Sequence, residues 1–342
     1  MTGAKVGFSV TVGALKASWP ATGGTLELVS LECATGVGGG WARIQLGPPQ
    51  GEAPALGAAV TVELDAGDAA AIKVFTGVAD RVGSTATAWV LRAHDGIPAL
   101  ARLDLERTWA DTTADAIIKD ILGAAGLTVG EVCAGPSLRV FTALRGPRGL
   151  RVVEGLLARM GAELSIDGAG KVVVATPRTG AADHTLTWGE DLLDIDVRRR
   201  PPALPGAVVH GEGAVDALGA SKGHWITKEN RAVGRAAIDA GGKVVAGAAG
   251  QPGLTIVDGA LATASVCKEV AENFTKLLAA SPIEGSVVCL GRPNFRPNQI
   301  IKIAGVPAEH SLAAVLAGGP LRARRVVHRF DAATGFTTRV EL

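Results

Sequence analysis

Tyrosine is absent from the 342 residues, and 7 phenylalanines and 6 tryptophans supply nearly all the aromatic surface. Stacking platforms for sugars or single-stranded nucleic acid need more. Charge of one sign is missing too: 34 basic against 33 acidic side chains leave +1 at neutral pH. That balance argues against a general binder of nucleic acid or of an anionic membrane. Cysteine is scarce, and Cys33, Cys133, Cys267 and Cys289 stand too far apart for a zinc knuckle or a redox motif. Buried free thiols, assembled at a reducing site, are expected. No uncharged apolar run approaches the roughly 18 residues of a membrane span, so no transmembrane segment is expected.

What the chain has in quantity is hydrophobic residues, at 47%, with 46 glycines and 17 prolines. Folded cores divided by many turns follow. At the start, Val6, Phe8, Val10 and Val12 alternate with small or polar residues, which reads as a first β-strand and not as a signal peptide. Period two continues through 25–32, 41–46, 59–64, 71–82 and 85–93, with turn clusters at Gly23-Gly24, Gly36 to Gly40, Gly47 to Gly51 and Asp65 to Asp68. This spacing predicts an antiparallel barrel or sandwich over 1–95.

After His94 the period changes. Ile117, Ile118, Ile121 and Leu122 form one stripe of a helix over 111–125, with Asp111, Thr112 or Thr113 as N-cap and Gly126 as the stop. Val152, Val153, Leu156, Leu157 and Met160 repeat the plan over 151–160, and a hairpin over 162–175 turns through Asp167 to Gly170. These elements make 96–182 a small α+β unit inserted in a β protein. Short strands are predicted around 186–188, 195–199, 207–210 and 225–227, and a long helix over 258–280. Strands at 285–290, 299–303, 321–330 and 336–342 complete a second β domain over 183–342, the last two as a hairpin. The predicted class is α+β, mainly β.

Nothing in the sequence assembles a catalytic or cofactor site. Six histidines (His94, His184, His210, His224, His310 and His328) are scattered singly, without metal-ligand spacing. A nucleophile elbow, a phosphate loop and a dinucleotide fingerprint are all missing. Glu190, Asp191, Asp194 and Asp196 are the only sensible acid/base candidates for a cell-wall hydrolase, but this run leads directly into Arg198-Arg199-Arg200, and mutual surface neutralisation is the preferred reading. Arg198, Arg199 and Arg200, with Arg322, Arg324 and Arg325, are the basic clusters; arginine enrichment at interfaces makes them candidate subunit contacts. A receptor-binding protein is a further alternative, disfavoured by the few aromatic residues.

Four segments, in order, resemble the late control protein D family of phage tail baseplate hubs, which also forms the hub part of type VI secretion spike proteins. They are Val74-Phe75-Thr76-Gly77-Val78 with the strand ending in Arg92-Ala93-His94-Asp95-Gly96; the helical stretch 108–127; the helix and hairpin of 149–176; and Gly291 to Asn298 with Val326-Val327-His328-Arg329-Phe330 and Gly335-Phe336-Thr337-Thr338. Asn298 stands where the family's turn has glycine, a replacement that a left-handed asparagine tolerates. The resemblance implies two tail-tube-like antiparallel β-barrel domains in tandem. A homotrimer would then present six similar modules to a hexameric tail tube around an axial channel. It also implies a non-enzymatic virion or injection-particle component, assembled in the bacterial cytoplasm, with no cofactor. The partners implied are the tail tube protein, baseplate wedge proteins, tape-measure protein in the lumen, DNA only in transit, and a separate spike protein, since the sequence ends at the last hub strand.

Overall fold

The computed structural model describes residues 6–21, 26–49, 51–67, 70–146, 148–212, 232–247, 253–331 and 333–342. Gly23, Gly24, Asp68, His224 and the strand expected over 225–227 lie outside them.

The N-terminal alternation becomes seven strands: β1 (Gly7–Val12), β2 (Leu15–Trp19), β3 (Glu27–Gly36), β4 (Trp41–Gly47), β5 (Ala59–Asp65), β6 (Ile72–Ser84) and β7 (Trp89–His94). They hydrogen-bond in the order β3-β4-β7-β6-β5-β1-β2. A single parallel bridge, Ala17 to Leu26, brings β2 back toward the start of β3. Val10, Val12, Ile44, Leu46, Val60, Val62, Leu64 and Phe75 fill the interior, one side of each strand. The Phe75-Thr76-Gly77 segment has a packing reason. A Cβ on Gly77 would overlap the His94 carbonyl oxygen and meet the Phe75 ring at 2.8 Å, so only glycine lets β6 approach β7 here.

The middle of the chain builds α1 (Ile97–Arg102), β8 (Arg107–Thr113), α2 (Ala114–Ala124), β9 (Val129–Val132), β10 (Ser137–Ala143), α3 (Gly149–Met160), β11 (Glu163–Ile166) and β12 (Val172–Ala175). The helix expected from residue 111 starts at Ala114 because β8 continues through Thr113, paired with β10, and Asp111 holds a positive φ of 47°. Its stop is as expected: Gly126 is left-handed, and Leu127 N–H donates to the Leu122 carbonyl at 3.0 Å. Gly161 ends α3 the same way, with φ 63°.

Next come β13 (His184–Thr187), β14 (Leu192–Arg199), β15 (Gly206–Gly211), β16 (Val233–Ile238), β17 (Val244–Ala246), β18 (Leu254–Asp258), α4 (Ala264–Ala279), β19 (Ile283–Leu290), β20 (Ile300–Ala304), α5 (Ser311–Leu316), β21 (Leu321–Arg322), β22 (Arg325–Asp331) and β23 (Gly335–Glu341). The long helix forms, but from Ala264 and not 258, with the Thr263 hydroxyl accepting from Val266 N–H at 3.3 Å. Its packing reaches beyond the C-terminal strands. Cys267, Val270 and Ala271 join one core with Ile117, Val153 and Leu156 of the middle unit, together with β15 and β16.

A second correction concerns the strand expected over 321–330, which is two. β21 belongs to a small sheet, β13-β20-β21, whereas β22 enters the large one. There β22 runs antiparallel to β3 from Arg325↔Gly36 to Asp331↔Ser30. All eleven strands from β14 to β2 therefore form one sheet, which leaves β14 as an edge and closes no barrel by a full ladder. The mainly β, α+β class is as expected. Leu186, Val287, Phe295, Ile301 and Val340 make a third core between the C-terminal part of that sheet, β13-β20-β21 and α5.

Candidate functional site

Behind the helix end at Gly161 lies a cleft lined by parts of α3, β11, α4 and the segment around β21. The left-handed turn there sends the chain back into β11, and Asn273 of α4 donates from its side-chain amide to the Arg159 carbonyl at 2.9 Å, locking α4 across the end of α3. Arg159 Nε lies 2.6 Å from the buried Asp258 carboxylate, a second tie between these elements. Glu163, the first residue of β11, then faces the C-terminal sheet.

Arg322 reaches Glu163 from β21. Both terminal guanidinium nitrogens donate to the carboxylate, and Nη2 also lies 3.3 Å from the Ser281 hydroxyl. Arg324 Nε stands 3.6 Å from the same carboxylate. The Arg322 side chain is 3% exposed, so the pair is desolvated, and the bidentate geometry is what makes such a burial tolerable. The cleft of about 430 Å³ beside this pair is lined by Arg200, Arg322, Arg324 and Glu163 together with Leu150, Leu157, Leu277 and Leu278.

Of the six arginines singled out in the sequence, the structure brings three together: Arg200, Arg322 and Arg324. The others lie elsewhere. Arg198 pairs with Asp196 at 3.1 Å in solvent, Arg199 rests against Gly318, and Arg325 pairs with Glu341 at 3.6 Å across the β22–β23 hairpin. Glu163, Ser281 and the two leucines of α4 were missed. No local signal marks them, since each is an ordinary residue of a strand start, helix end or helix stripe.

The acidic run does not form a paired-carboxylate site. Asp191 accepts from the Thr187 amide at 2.9 Å and from Arg292 at 2.7 Å, and these donors hold its carboxyl below the usual range, the reverse of what a general acid needs. Asp194 and Glu190 face solvent. Among the described residues no three His, Cys, Asp or Glu side chains gather as metal ligands, and no helix is long and apolar enough to cross a membrane.

The remaining motif residues hold structure. His328 and Thr338 are cross-strand partners 3.1 Å apart, and Thr338 also accepts from the Arg292 amide at 2.8 Å. Burial drives the His328 imidazole down to about 3, with Arg296 adding to the effect. Asp95 is buried beneath the glycine turn, accepting from the Gly40 and Ile97 amides, and burial raises its carboxyl despite those donors. Asn298 sits at φ 68°, as expected for a glycine substitute, and adds what glycine lacks: its side chain donates to the Thr176 carbonyl and accepts from the Arg178 amide, each at 2.9 Å.

No protein-family model matches the sequence, and comparison with curated proteins gives no match. Solved structures do match. The 43 kDa tail protein of prophage MuSo2 from Shewanella oneidensis aligns over 98% of this chain and 97% of its own, with a TM-score of 0.63 and 11% identity. A tail protein from Neisseria meningitidis MC58 aligns over 98% and 96%, with a TM-score of 0.67 and 12% identity. An Escherichia coli protein, described as a type VI secretion component structurally similar to the T4 bacteriophage tail proteins gp27 and gp5, aligns over 97% of this chain and 75% of its own at TM-score 0.54 and 12% identity. The likeness is one of fold, and it runs from end to end: the chain has the fold of phage tail proteins, as the motif order led one to expect.

Proposed function

We propose that the protein is a structural baseplate hub of a phage tail or related contractile injection particle. In this reading it is a trimeric adaptor that joins the hexameric tail tube to a central spike around an axial channel. The observation that carries the reading is the fold match, which spans 98% of this chain and nearly the whole of two tail proteins. A second feature supports it: two β modules are fused edge to edge through β3 and β22. Three copies of such a chain offer six β surfaces, the number a six-fold ring can accept. Its partners would be further copies of itself, the tail tube protein, a spike protein, wedge proteins and material in transit through the channel. Its place would be the virion tail or injection particle, after assembly in the bacterial cytoplasm. Its role is to hold parts together and not to turn over a substrate, in keeping with an Asp191 carboxylate engaged by the Thr187 amide and Arg292.

Solution mass tests it. A species near 103.8 kDa, three times the 34.6 kDa of one chain, alone or with the spike protein, is the expected result. A monomer at every concentration with the spike protein present would overturn the trimeric hub.

A further inference from the structure

The cleft at Glu163 combines an apolar floor with a charged rim. Its floor is apolar, from Leu157, Leu277 and Leu278, and its rim sets Arg200, Arg322 and Arg324 against Glu154 and Glu163. Arg200 is paired with Glu284 at 3.2 Å, but the other two cations are not fully used. Arg322 Nε is buried and has no hydrogen-bond partner among the described residues, and Arg324 meets Glu163 only at 3.6 Å with 45% of its side chain exposed. A carboxylate next to a branched apolar side chain would satisfy both halves of such a site.

One exposed segment of this same chain has that chemistry. Leu193, 53% exposed, lies on β14, the open edge of the large sheet, between Asp191 and Asp194. Asp194 accepts from the adjacent Ile195 amide and enters no ion pair among the described residues. Other strongly exposed apolar side chains lack this character. Leu144 is followed by Arg145, Leu56 has only Ala and Gly as near neighbours on its C-terminal side, and Val257 precedes an Asp258 already spent on Arg159.

The two surfaces cannot meet within one molecule. Leu193 is near the start of β14 and Arg200 just beyond its end, so about 23 Å of extended strand separates them at roughly 3.3 Å per residue. A contact between two different patches is head-to-tail, and such contacts generate rings when the rotation closes. We propose that the Leu193–Asp194 edge of one copy docks into the arginine cleft of the next, and that this contact repeats around the homotrimer. The choice of a three-fold ring rests on the hub reading; the contact itself rests on the complementarity of the two patches.

Cross-linking tests the contact. Leu193→Cys and Leu278→Cys are combined in a Cys133→Ser background, because Cys133 is the one native thiol that is not buried, and treated with a short bismaleimide. Covalent dimers and trimers are expected only when both substitutions are on one chain, and none when either is alone. Charge reversal gives a second measurement if the pair disturbs folding. Asp194→Arg or Arg324→Glu should each weaken assembly at least tenfold, and the two together should restore it. A wild-type trimer with no cross-link and no effect of charge reversal would overturn this contact and leave the hub reading standing. Wild-type monomer under all conditions would overturn both, and a cross-link to the spike protein in place of a second copy would overturn the self-contact alone.

Discussion

Glu163 and Arg322 are 159 positions apart in the chain, and both terminal nitrogens of the arginine close on the one carboxylate, tying β11 to β21. Removing the acid leaves a guanidinium that is 3% exposed without its counter-charge. Glu163→Ala should therefore cost about 3–5 kcal/mol of stability, while Glu163→Leu with Arg322→Met should recover most of it. Urea unfolding followed by circular dichroism measures both; a loss under about 1 kcal/mol for Glu163→Ala would mean the pair is hydrated.

His328 gives the fold a dependence on pH. Its imidazole titrates near 3 in the folded protein against 6.5 as its ordinary value, because burial disfavours the cation. Below about 6.5 the unfolded chain binds a proton that the folded one refuses, so this group's contribution is complete above that pH and is lost as pH falls toward 3. The expected slope is about 1.4 kcal/mol per pH unit. Between pH 6.5 and 5, above the range of ordinary carboxylates, the urea midpoint should fall, and His328→Gln should flatten the trend. A wild-type midpoint that stays level there would show that the imidazole accepts its proton in place.

Two glycine substitutions should move stability in opposite directions. Gly77→Ala drives a methyl group into the His94 carbonyl, and backbone in a central strand pair has little room to yield, so a loss of about 1–3 kcal/mol or more is expected. Gly123 lies in α2 with nothing within 4 Å of a built Cβ, so Gly123→Ala should gain about 0.5–1 kcal/mol from helix propensity. Paired thermal melts decide the matter, and equal shifts would contradict the packing of β6 on β7.

Thiol chemistry should sort the four cysteines by burial. Cys33 and Cys289 are pushed up to about 12 by desolvation, Cys267 is buried, and Cys133 is half-buried with its thiol also raised. Iodoacetamide at pH 8 should modify Cys133 slowly and the other three only after denaturation. Rapid native labelling of Cys33 would mean that the seam between β3 and β22 opens.

Much of the secondary structure was legible because its signals are local. Alternation over a few residues suffices to specify β3 to β7, a stripe at helical spacing specifies α2 and α3, and a glycine that alone tolerates a left-handed turn marks where each helix stops. Even the left-handed Asn298 was legible, through the resemblance of its turn to one that carries glycine. Among the elements that were missed, β8 with β10 and the strands β16 to β18 take their identity from a partner strand. Pairing overrode the helix expected from residue 111 for that reason.

Position along the chain decided little about association. Three consecutive arginines at 198–200 were separated by the alternation of a strand, and 322, 324 and 325 by the passage from one sheet to another. Only Arg200, Arg322 and Arg324 converge, around an acid that no local pattern marks. In the same way α4 joins α3 and not the strands that follow it, and Arg325 pairs with Gly36 to merge two β regions into one sheet. Local conformational preference and hydrophobic period determined which segments are strands and helices. Which segments meet was decided by the burial of complementary faces across long stretches of chain, a quantity that exists only once the tertiary structure has formed.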